Sequence, residues 1–176
     1  LLNAASAVVL DTNLPRASLA YLAEYCTAPL FADPVSTAKA EKLRGLLGHI
    51  HTLKPNRIEA ELLSGVQITD DKSLRQAAQA LLAQGLSRVF ISLGGDGVLA
   101  AQQGEMQLVP VCRAEMCNAT GAGDAMMAAL VWSFLRNRPL AASATAGTAA
   151  AAIAVESEET INPRMSAEAV EARLKR

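Results

Sequence analysis

The sequence is poor in aromatic residues and carries almost no surplus charge. Only 3% of its 176 residues are Phe, Trp or Tyr, and 16 Lys and Arg nearly balance 17 Asp and Glu, which gives a formal net charge of -1. Proteins that bind nucleic acid or an anionic membrane usually carry a basic surplus, which this chain lacks. We therefore expect a small-molecule ligand, with no nucleic acid and no membrane as partner.

Cysteine and long apolar runs are also scarce. Cys26, Cys112 and Cys117 are odd in number and lack the paired spacing of a metal site, so they are interpreted as reduced thiols in a cytoplasmic protein. The most apolar stretch, Ala141 to Val155, is too short to span a membrane and is rich in alanine. It predicts a buried helix.

The sequence does not begin with Met, and no signal peptide is expected from its first residues. Leu1 and Leu2 follow no basic leader, and Asp11 soon interrupts the apolar run. The opening residues, Leu1 to Ser6, resemble the end of a helix that leads directly into a strand. We expect the chain to begin in the middle of a longer protein, although a hydrophobic content of 51% is enough for one core.

Short apolar runs alternate with segments of helical periodicity along the first half of the chain, which predicts a mainly parallel sheet with helical crossovers. The predicted strands are Ala7–Leu10, Pro29–Ala32, Ile50–Leu53 and Val89–Ser92, and the predicted helices are Arg16–Cys26, Ala38–Leu47, Arg57–Ser64 and Ser73–Gln84. Ligands bind beyond the carboxyl ends of such strands, so the loops at Asp11, Asp33, Lys54 and Gly94 are expected to share one edge.

The pattern changes in the second half. Gly97–Ala101 and Met106–Val109 are predicted to form a hairpin around Gly104. Three helices are then expected, at Asp124–Arg136, Leu140–Val155 and Ser166–Leu174. The whole chain, 1–176, is interpreted as an α/β unit without an internal domain boundary.

One glycine motif carries most of the chemical information. In Asn118 to Asp124 (NATGAGD), Gly121, Ala122 and Gly123 permit a tight turn directly before an apolar helix. A helix N-terminus presents unpaired N–H groups that attract phosphate. Asp124 would stand in the first turn, where a carboxylate can accept a proton from a substrate hydroxyl. A simple turn with Asp124 as a helix cap is the alternative interpretation.

Two other phosphate-binding patterns are excluded. A dinucleotide fingerprint requires a third small residue, but Met126 occupies that position. The Walker loop requires Gly-Lys-Ser or Gly-Lys-Thr, and neither occurs in the chain.

The NATGAGD segment and the small, apolar helix after it resemble the second signature of the ribokinase-like (PfkB-type) kinases, commonly Asp-Thr-x-Gly-Ala-Gly-Asp. That resemblance implies a ribokinase-like fold, with Asp124 as the catalytic base and Gly121, Ala122 and Gly123 as the anion hole. It also implies ATP as phosphoryl donor, bound with Mg²⁺.

Further matches follow in the order that the family requires. Asn56 and Glu59 resemble its Asn-x-x-Glu motif, which helps to organise magnesium and phosphate waters. The segment Ser92 to Gly97 (SLGGDG) resembles its nucleotide loop, and the helix around Thr148 resembles the helix along which adenine lies. The resemblance therefore implies these nucleotide-binding residues: Ser92, Gly94, Gly95, Gly97, Thr120 and Thr148.

Each match also has a simpler interpretation. An Asn and a Glu one helical turn apart can face a hydrated cation, but Glu59 can equally be a solvated helix charge. The glycines after Ser92 can be a turn alone. His51 is interpreted as a hydrogen-bonded structural histidine and is not assigned to the site.

Finer likeness points to one branch of the family. The segments FADPVS (31–36), HTLKPNRIEAELLSG (51–65) and GGDG (94–97) resemble bacterial pseudouridine kinases. That branch phosphorylates the ribose 5′-hydroxyl of pseudouridine. The alternatives are a ribokinase, fructokinase or adenosine kinase relative, and a non-catalytic remnant that binds nucleotide.

Two departures from the family pattern stand out. The family usually has Asp where this chain has Asn118, and that carboxylate supports a monovalent cation such as K⁺. An amide oxygen is a weaker, uncharged ligand, so the resemblance does not imply activation by K⁺ for this chain. The family's N-terminal part, with its sugar-binding motif and β-sheet lid, is absent from this chain. The chain alone is therefore expected to be inactive. A homodimer is an expectation for the full-length enzyme only.

Overall fold

A computed structural model of the protein describes residues 2–175. It contains a six-stranded sheet with strands β1 (Val8–Asp11), β2 (Leu30–Asp33), β3 (Thr52–Leu53), β4 (Arg88–Ser92), β5 (Val98–Gln102) and β6 (Glu105–Val109). The helices are α1 (Arg16–Tyr25), α2 (Thr37–Ala40), α3 (Arg57–Ser64), α4 (Asp71–Leu82), α5 (Ala122–Leu135), α6 (Leu140–Val155) and α7 (Ala167–Leu174). None of the helices within residues 2–175 is both long and apolar enough to cross a membrane.

The strands follow one another across the sheet in the order of the sequence, from β1 to β6. The first four are parallel: Leu10 is in register with Ala32, Ala32 with Leu53, and Leu53 with Val89. Their carboxyl ends therefore share one edge, as expected for the loops at Asp11, Asp33, Lys54 and Gly94. The structure confirms the α/β class and the crossover pattern.

The chain forms two compact units. The first comprises residues 2–94 and 99–107, and the second comprises residues 95–98 and 108–175. In the first unit the middle residues of the central strands are apolar and buried on both faces of the sheet; Phe31, Phe90 and Ile91 are almost inaccessible to solvent. At the open edge, β1 alternates instead, and Val9 is 54% exposed.

The second unit is built on helices with small side chains. Helices α5 and α6 pack closely, and a Cβ atom placed on Gly147 would lie 3.1 Å from Cγ of Met126. Its core consists of Ala129, Ala146, Ala149, Ala150, Ile153 and Val170. Small residues allow the backbones to approach, and this explains the alanine-rich sequence of α6.

One predicted helix is wrong in the structure. The segment predicted as a helix over Ala38–Leu47 forms only the short α2, followed by 3-10 turns at Glu41–Leu43 and Leu47–His49. Arg44 is extended and Gly45 has φ of 76°, a left-handed conformation that ends a right-handed helix. The other elements agree with the prediction to within about two residues, the usual uncertainty of helix and strand ends.

Candidate functional site

A buried ion pair joins the carboxyl ends of β2 and β3 in the first unit. The Lys54 ammonium lies 2.9 Å from Oδ2 of Asp33, and the two side chains are only 7% and 17% exposed. The other carboxylate oxygen of Asp33 accepts a hydrogen bond from the backbone N–H of Val35. The pair therefore ties together the two loops that follow these strands.

Asn56 and Glu59 form a reciprocal cap at the start of α3. Oδ1 of Asn56 accepts a hydrogen bond from the Glu59 N–H at 2.9 Å, and Oε2 of Glu59 accepts one from the Asn56 N–H at 2.8 Å. This arrangement is a capping box, which satisfies two backbone donors and fixes both side chains. The interpretation of Glu59 as a solvated helix charge is wrong, because the residue is only 3% exposed.

The surroundings of Glu59 affect its protonation. Burial raises the pKa of its carboxyl, the hydrogen bond from the Asn56 backbone lowers it, Asp33 raises it and Lys54 lowers it. The net result is a pKa above the ordinary value of 4.5. A buried carboxylate with an acidic neighbour is stabilised by an added positive charge.

These side chains fit a hydrated magnesium ion. Among residues 2–175 no group of three or more His, Cys, Asp or Glu side chains is placed to bind a metal directly. Magnesium usually keeps several waters and needs only one or two carboxylates from the protein. Glu59, with Asn56 beside it, would contact such an ion through its water shell.

Ser92 lies next to this group. It forms an isolated parallel bridge with Asn56, and its backbone N–H donates to the Pro55 carbonyl at 2.9 Å. The Ser92 hydroxyl makes a longer hydrogen bond, 3.4 Å, to the same carbonyl. The structure thus brings together Asn56, Glu59 and Ser92, three of the residues predicted for the site.

The chain passes into the second unit at the predicted nucleotide loop. Gly94 to Asp96 form an exposed 3-10 turn, in which Gly94 has φ of 61°. Gly97 has φ of 101°, and a Cβ atom there would collide with the Val109 carbonyl oxygen. Only glycine fits at position 97, so packing within the fold alone is enough to require this glycine, whether or not a nucleotide binds to the loop.

The predicted anion hole begins helix α5. Gly121 is its N-cap, with φ of 83°, and no side chain caps the helix. The Ala125 N–H donates to the Gly121 carbonyl, as the first hydrogen bond of the α-helical pattern. The backbone N–H groups of Ala122, Gly123 and Asp124 are therefore left for an external acceptor, which is the arrangement that binds phosphate.

Asp124 and Thr120 flank this turn and are both exposed. The alternative interpretation of Asp124 as a helix cap is not supported, because α5 has no side-chain cap. Thr120 is positioned through its backbone N–H, which donates to Oδ1 of Asn118 at 2.9 Å. Both side chains are thus open to solvent at a fixed turn.

Thr148 lies in the middle of α6 and is only 6% exposed. Its hydroxyl donates to the Thr145 carbonyl of the preceding turn at 3.0 Å. A hydroxyl bonded in this way can still accept a hydrogen bond. Its assignment to the adenine site remains a prediction.

His51 has the structural environment expected of it. Its Nδ1 lies 2.8 Å from the Thr52 hydroxyl, and its ring stacks on Phe31 with centroids 5.5 Å apart. Burial, with a smaller contribution from Arg88, lowers its pKa below the ordinary value. The neutral imidazole is therefore favoured, as in a packed core histidine.

Sequence reasoning placed Lys54 and Asp33 at the ligand edge but gave them no role. Their pairing follows from the register of β2 and β3, in which Ala32 faces Leu53 and the next residues are Asp33 and Lys54. The available signal was a lysine directly before Pro55 and Asn56. A buried lysine needs an acidic partner, and the nearest acidic strand end is Asp33.

Comparison with known proteins identifies the family of this chain, while the individual site residues remain predictions. The family model of the pfkB family carbohydrate kinases matches residues 1–167. The chain is 38% identical over 164 residues to the pseudouridine kinase of Escherichia coli (strain K12). The matched residues make up 92% of this chain and 52% of that protein.

Solved structures agree with this relationship. A carbohydrate kinase from Agrobacterium tumefaciens superposes with a TM-score of 0.80 at 34% identity, over 98% of this chain and 55% of that one. Ribokinase from Thermotoga maritima superposes with a TM-score of 0.85 at 26% identity, over 99% and 58%. The chain spans about half the length of the relatives that it matches. The extent of these matches shows that the chain belongs to the PfkB family of carbohydrate kinases.

Proposed function

We propose that this chain supplies the nucleotide-binding and catalytic elements of a kinase that transfers a phosphoryl group from ATP to a ribose-containing nucleoside. The observation that carries the proposal is the start of α5, where unpaired N–H groups stand beside the exposed carboxylate of Asp124. Members of the PfkB family are phosphotransferases that use ATP with Mg²⁺ and, in some cases, K⁺. The proposal assigns the chemical step to this turn.

In the proposed step Asp124 accepts the proton of the acceptor hydroxyl. The hydroxyl oxygen then forms a bond to the terminal phosphorus of ATP, and the bond from that phosphorus to the bridging oxygen of ADP breaks. The N–H groups of Ala122 and Gly123 stabilise the negative charge on the phosphoryl oxygens during transfer. Positioning and charge stabilisation of this kind account for most of the catalysis in phosphoryl transfer.

Asn56 and Glu59 are proposed to organise the donor. Glu59 would hold a water of the magnesium shell, and Asn56 keeps the carboxylate in place through the capping box. The bound ion would supply positive charge to the phosphate oxygens. Ser92, Gly94, Gly95, Gly97, Thr120 and Thr148 are proposed as the nucleotide contacts, and Ser92 is already held against Asn56.

Pseudouridine is the acceptor that we propose, with pseudouridine 5′-phosphate as the product. Support comes from the 38% identity to a pseudouridine kinase along nearly the whole chain. The alternative acceptor is a free sugar, because the fold also superposes well on a ribokinase. A remnant that binds nucleotide without catalysis is a further alternative, and the retained Asp124, Asn56 and Glu59 count against it.

We further propose that the chain is the C-terminal part of one kinase domain, in a cytoplasmic enzyme. The remaining half of the relatives' length would then supply the main acceptor contacts and a lid that excludes water. Under this proposal the 176 residues alone bind ADP weakly and transfer phosphate to no acceptor at a useful rate.

The test is an acceptor panel with the complete protein. ADP release is measured with ATP, Mg²⁺ and, in turn, pseudouridine, uridine, adenosine, ribose and fructose, beside the same panel with the isolated chain. We expect the highest kcat/KM with pseudouridine, and none with the isolated chain. Preference for ribose or fructose would favour the alternative acceptor, and no transfer to any acceptor together with ADP binding would favour the remnant.

A further inference from the structure

The residue that departs from the family pattern, Asn118, lies in a network that joins two loops of the second unit. One loop precedes α5 and includes Asn118 to Gly121; the other follows α6 and is called here the 156–162 loop. Both side-chain ends of Asn118 are engaged: Oδ1 accepts from the Thr120 N–H at 2.9 Å, and Nδ2 donates to the Glu158 carbonyl at 3.1 Å. Asn118 thus links the predicted anion hole to the 156–162 loop.

The orientation of the amide is fixed by its partners. A backbone N–H can only donate and a backbone carbonyl can only accept, so Oδ1 must face Thr120 and Nδ2 must face Glu158. The chain before α5 is also bonded to the end of α6, directly before the 156–162 loop. The backbone N–H groups of Cys117 and Asn118 both donate to the Val155 carbonyl, at 2.8 and 3.2 Å.

Steric contact between the loops is also tight. A Cβ atom on Gly121 would collide with the Thr160 carbonyl oxygen, so the 156–162 loop lies directly against the N-cap of α5. A buried side chain, Asn162, anchors the far end of that loop by donating to the Ile153 carbonyl. The spacing of the two loops therefore determines how the first turn of α5 is held.

These residues do not fit a monovalent cation. An aspartate at position 118 would direct an oxygen at the Glu158 carbonyl, and two oxygen acceptors at this distance repel each other unless a cation lies between them. Asn118 instead directs an N–H donor at the same carbonyl. The Asn118 N–H is already hydrogen-bonded to the Glu158 carbonyl oxygen, so a cation cannot lie between the two groups.

We propose that the Asn118 amide takes the place of a bound K⁺ in this protein, so that the turn of the anion hole is held by a direct hydrogen bond and does not require a monovalent cation. The proposal rests on the proposed kinase function and assigns Asn118 as a positioning residue, since it acts through Thr120 and the 156–162 loop. Nucleotide affinity and turnover should then be the same in K⁺ and in a large organic cation.

The test compares wild type and Asn118→Asp in the complete protein, in potassium chloride and in tetramethylammonium chloride at equal ionic strength. Melting temperature and ADP affinity by calorimetry are measured beside turnover, so that two readouts do not depend on the acceptor. Asn137→Asp provides the control, because it makes the same change of charge at an exposed residue. The backbone of Asn137 has φ of 53°, a conformation that both Asn and Asp adopt. This control should show no K⁺ response.

For wild type we expect ADP affinity and rate to agree within about twofold between the two salts. Asn118→Asp should lose ADP affinity by about tenfold in tetramethylammonium, the worth of one hydrogen bond, and recover most of it in K⁺. A wild-type protein whose ADP affinity and melting temperature fall markedly without K⁺ would overturn the proposal. So would an Asn118→Asp protein that folds but ignores K⁺.

Should Asn118→Asp fail to fold in either salt, the wild-type comparison alone decides. Failure of this inference is also distinguishable from failure of the proposed function. If no acceptor is phosphorylated but ADP binds equally in both salts, the inference stands and the kinase assignment falls.

Discussion

Lys54 and Asp33 face each other across the ends of two neighbouring parallel strands, 2.9 Å apart and almost out of contact with water. Their pairing joins the loop that contains Val35 to the turn that leads into Asn56. A pair of this kind holds the predicted magnesium residues through the backbone. Removing this ion pair should therefore lower both the stability of the protein and its affinity for magnesium.

Removing one member of this pair should be strongly destabilising. Lys54→Met leaves Asp33 as a buried, uncompensated carboxylate, and we expect a loss of about 3 to 5 kcal/mol in the free energy of unfolding, measured with urea. The exposed pair of Asp71 and Arg75 on α4 is the matched control, and Asp71→Asn should cost less than about 1 kcal/mol. Equal losses in the two variants would contradict a structural role for Lys54.

Gly121 should tolerate substitution less well than a glycine with the same backbone conformation in open space. Gly121→Ala combines φ of 83° with a collision at the Thr160 carbonyl, whereas Gly104→Ala has φ of 77° and nothing within 4 Å. We expect Gly104→Ala to lose about 1 to 2 kcal/mol for the left-handed conformation alone, and Gly121→Ala to lose more. ADP affinity should fall only for Gly121→Ala, and calorimetry with both variants would reveal the difference.

Much of the fold was predictable because it depends on local pattern. Apolar runs closed by polar loops predicted every strand of the sheet, and the apolar sequence from Leu140 to Val155 predicted α6 to the residue. The helix over Ala38–Leu47 failed because periodicity does not detect the extended Arg44 and the left-handed Gly45. Backbone conformation at such positions depends on the loops packed around them.

The local geometry of the candidate site was predictable only where a motif is continuous in sequence. The segments from Gly121 to Asp124 and from Asn56 to Glu59 carry their own geometry, a helix N-terminus and a capping box. The bond from Asn118 to Glu158 joins residues 40 positions apart, so no local pattern contains it. The burial of Glu59 was likewise missed, because it depends on how α3 packs against the sheet.

Glu59→Gln should weaken the response to magnesium without unfolding the protein. A neutral amide oxygen can still accept the hydrogen bond from the Asn56 N–H, so the cap and the melting temperature should change little. The lost charge should raise the magnesium concentration needed for half-maximal rate several-fold. The same substitution at the exposed Glu24 on α1 is the control. An unchanged magnesium titration would remove Glu59 from the metal site.

Glu59 should also make stability depend on pH. Because its pKa is raised in the folded protein, the folded state holds the proton more tightly than the unfolded chain does. The free energy of unfolding should therefore fall as pH rises from the ordinary carboxyl value of 4.5 through the folded-state pKa. Glu59→Gln should not show this decrease, so its stability relative to wild type should increase over that window in urea titrations. A constant difference would contradict the raised pKa.

The central claim is that Asp124 is the base of a phosphoryl transfer that takes place at the start of α5. The most direct measurement is turnover of the complete protein carrying Asp124→Asn with its best acceptor, beside ADP affinity of the same sample and the Asp71→Asn control. We predict a fall in turnover of at least about a hundredfold with ADP affinity nearly unchanged, because the amide keeps the shape of the turn but cannot accept the proton. Near-normal turnover by purified Asp124→Asn would contradict the account.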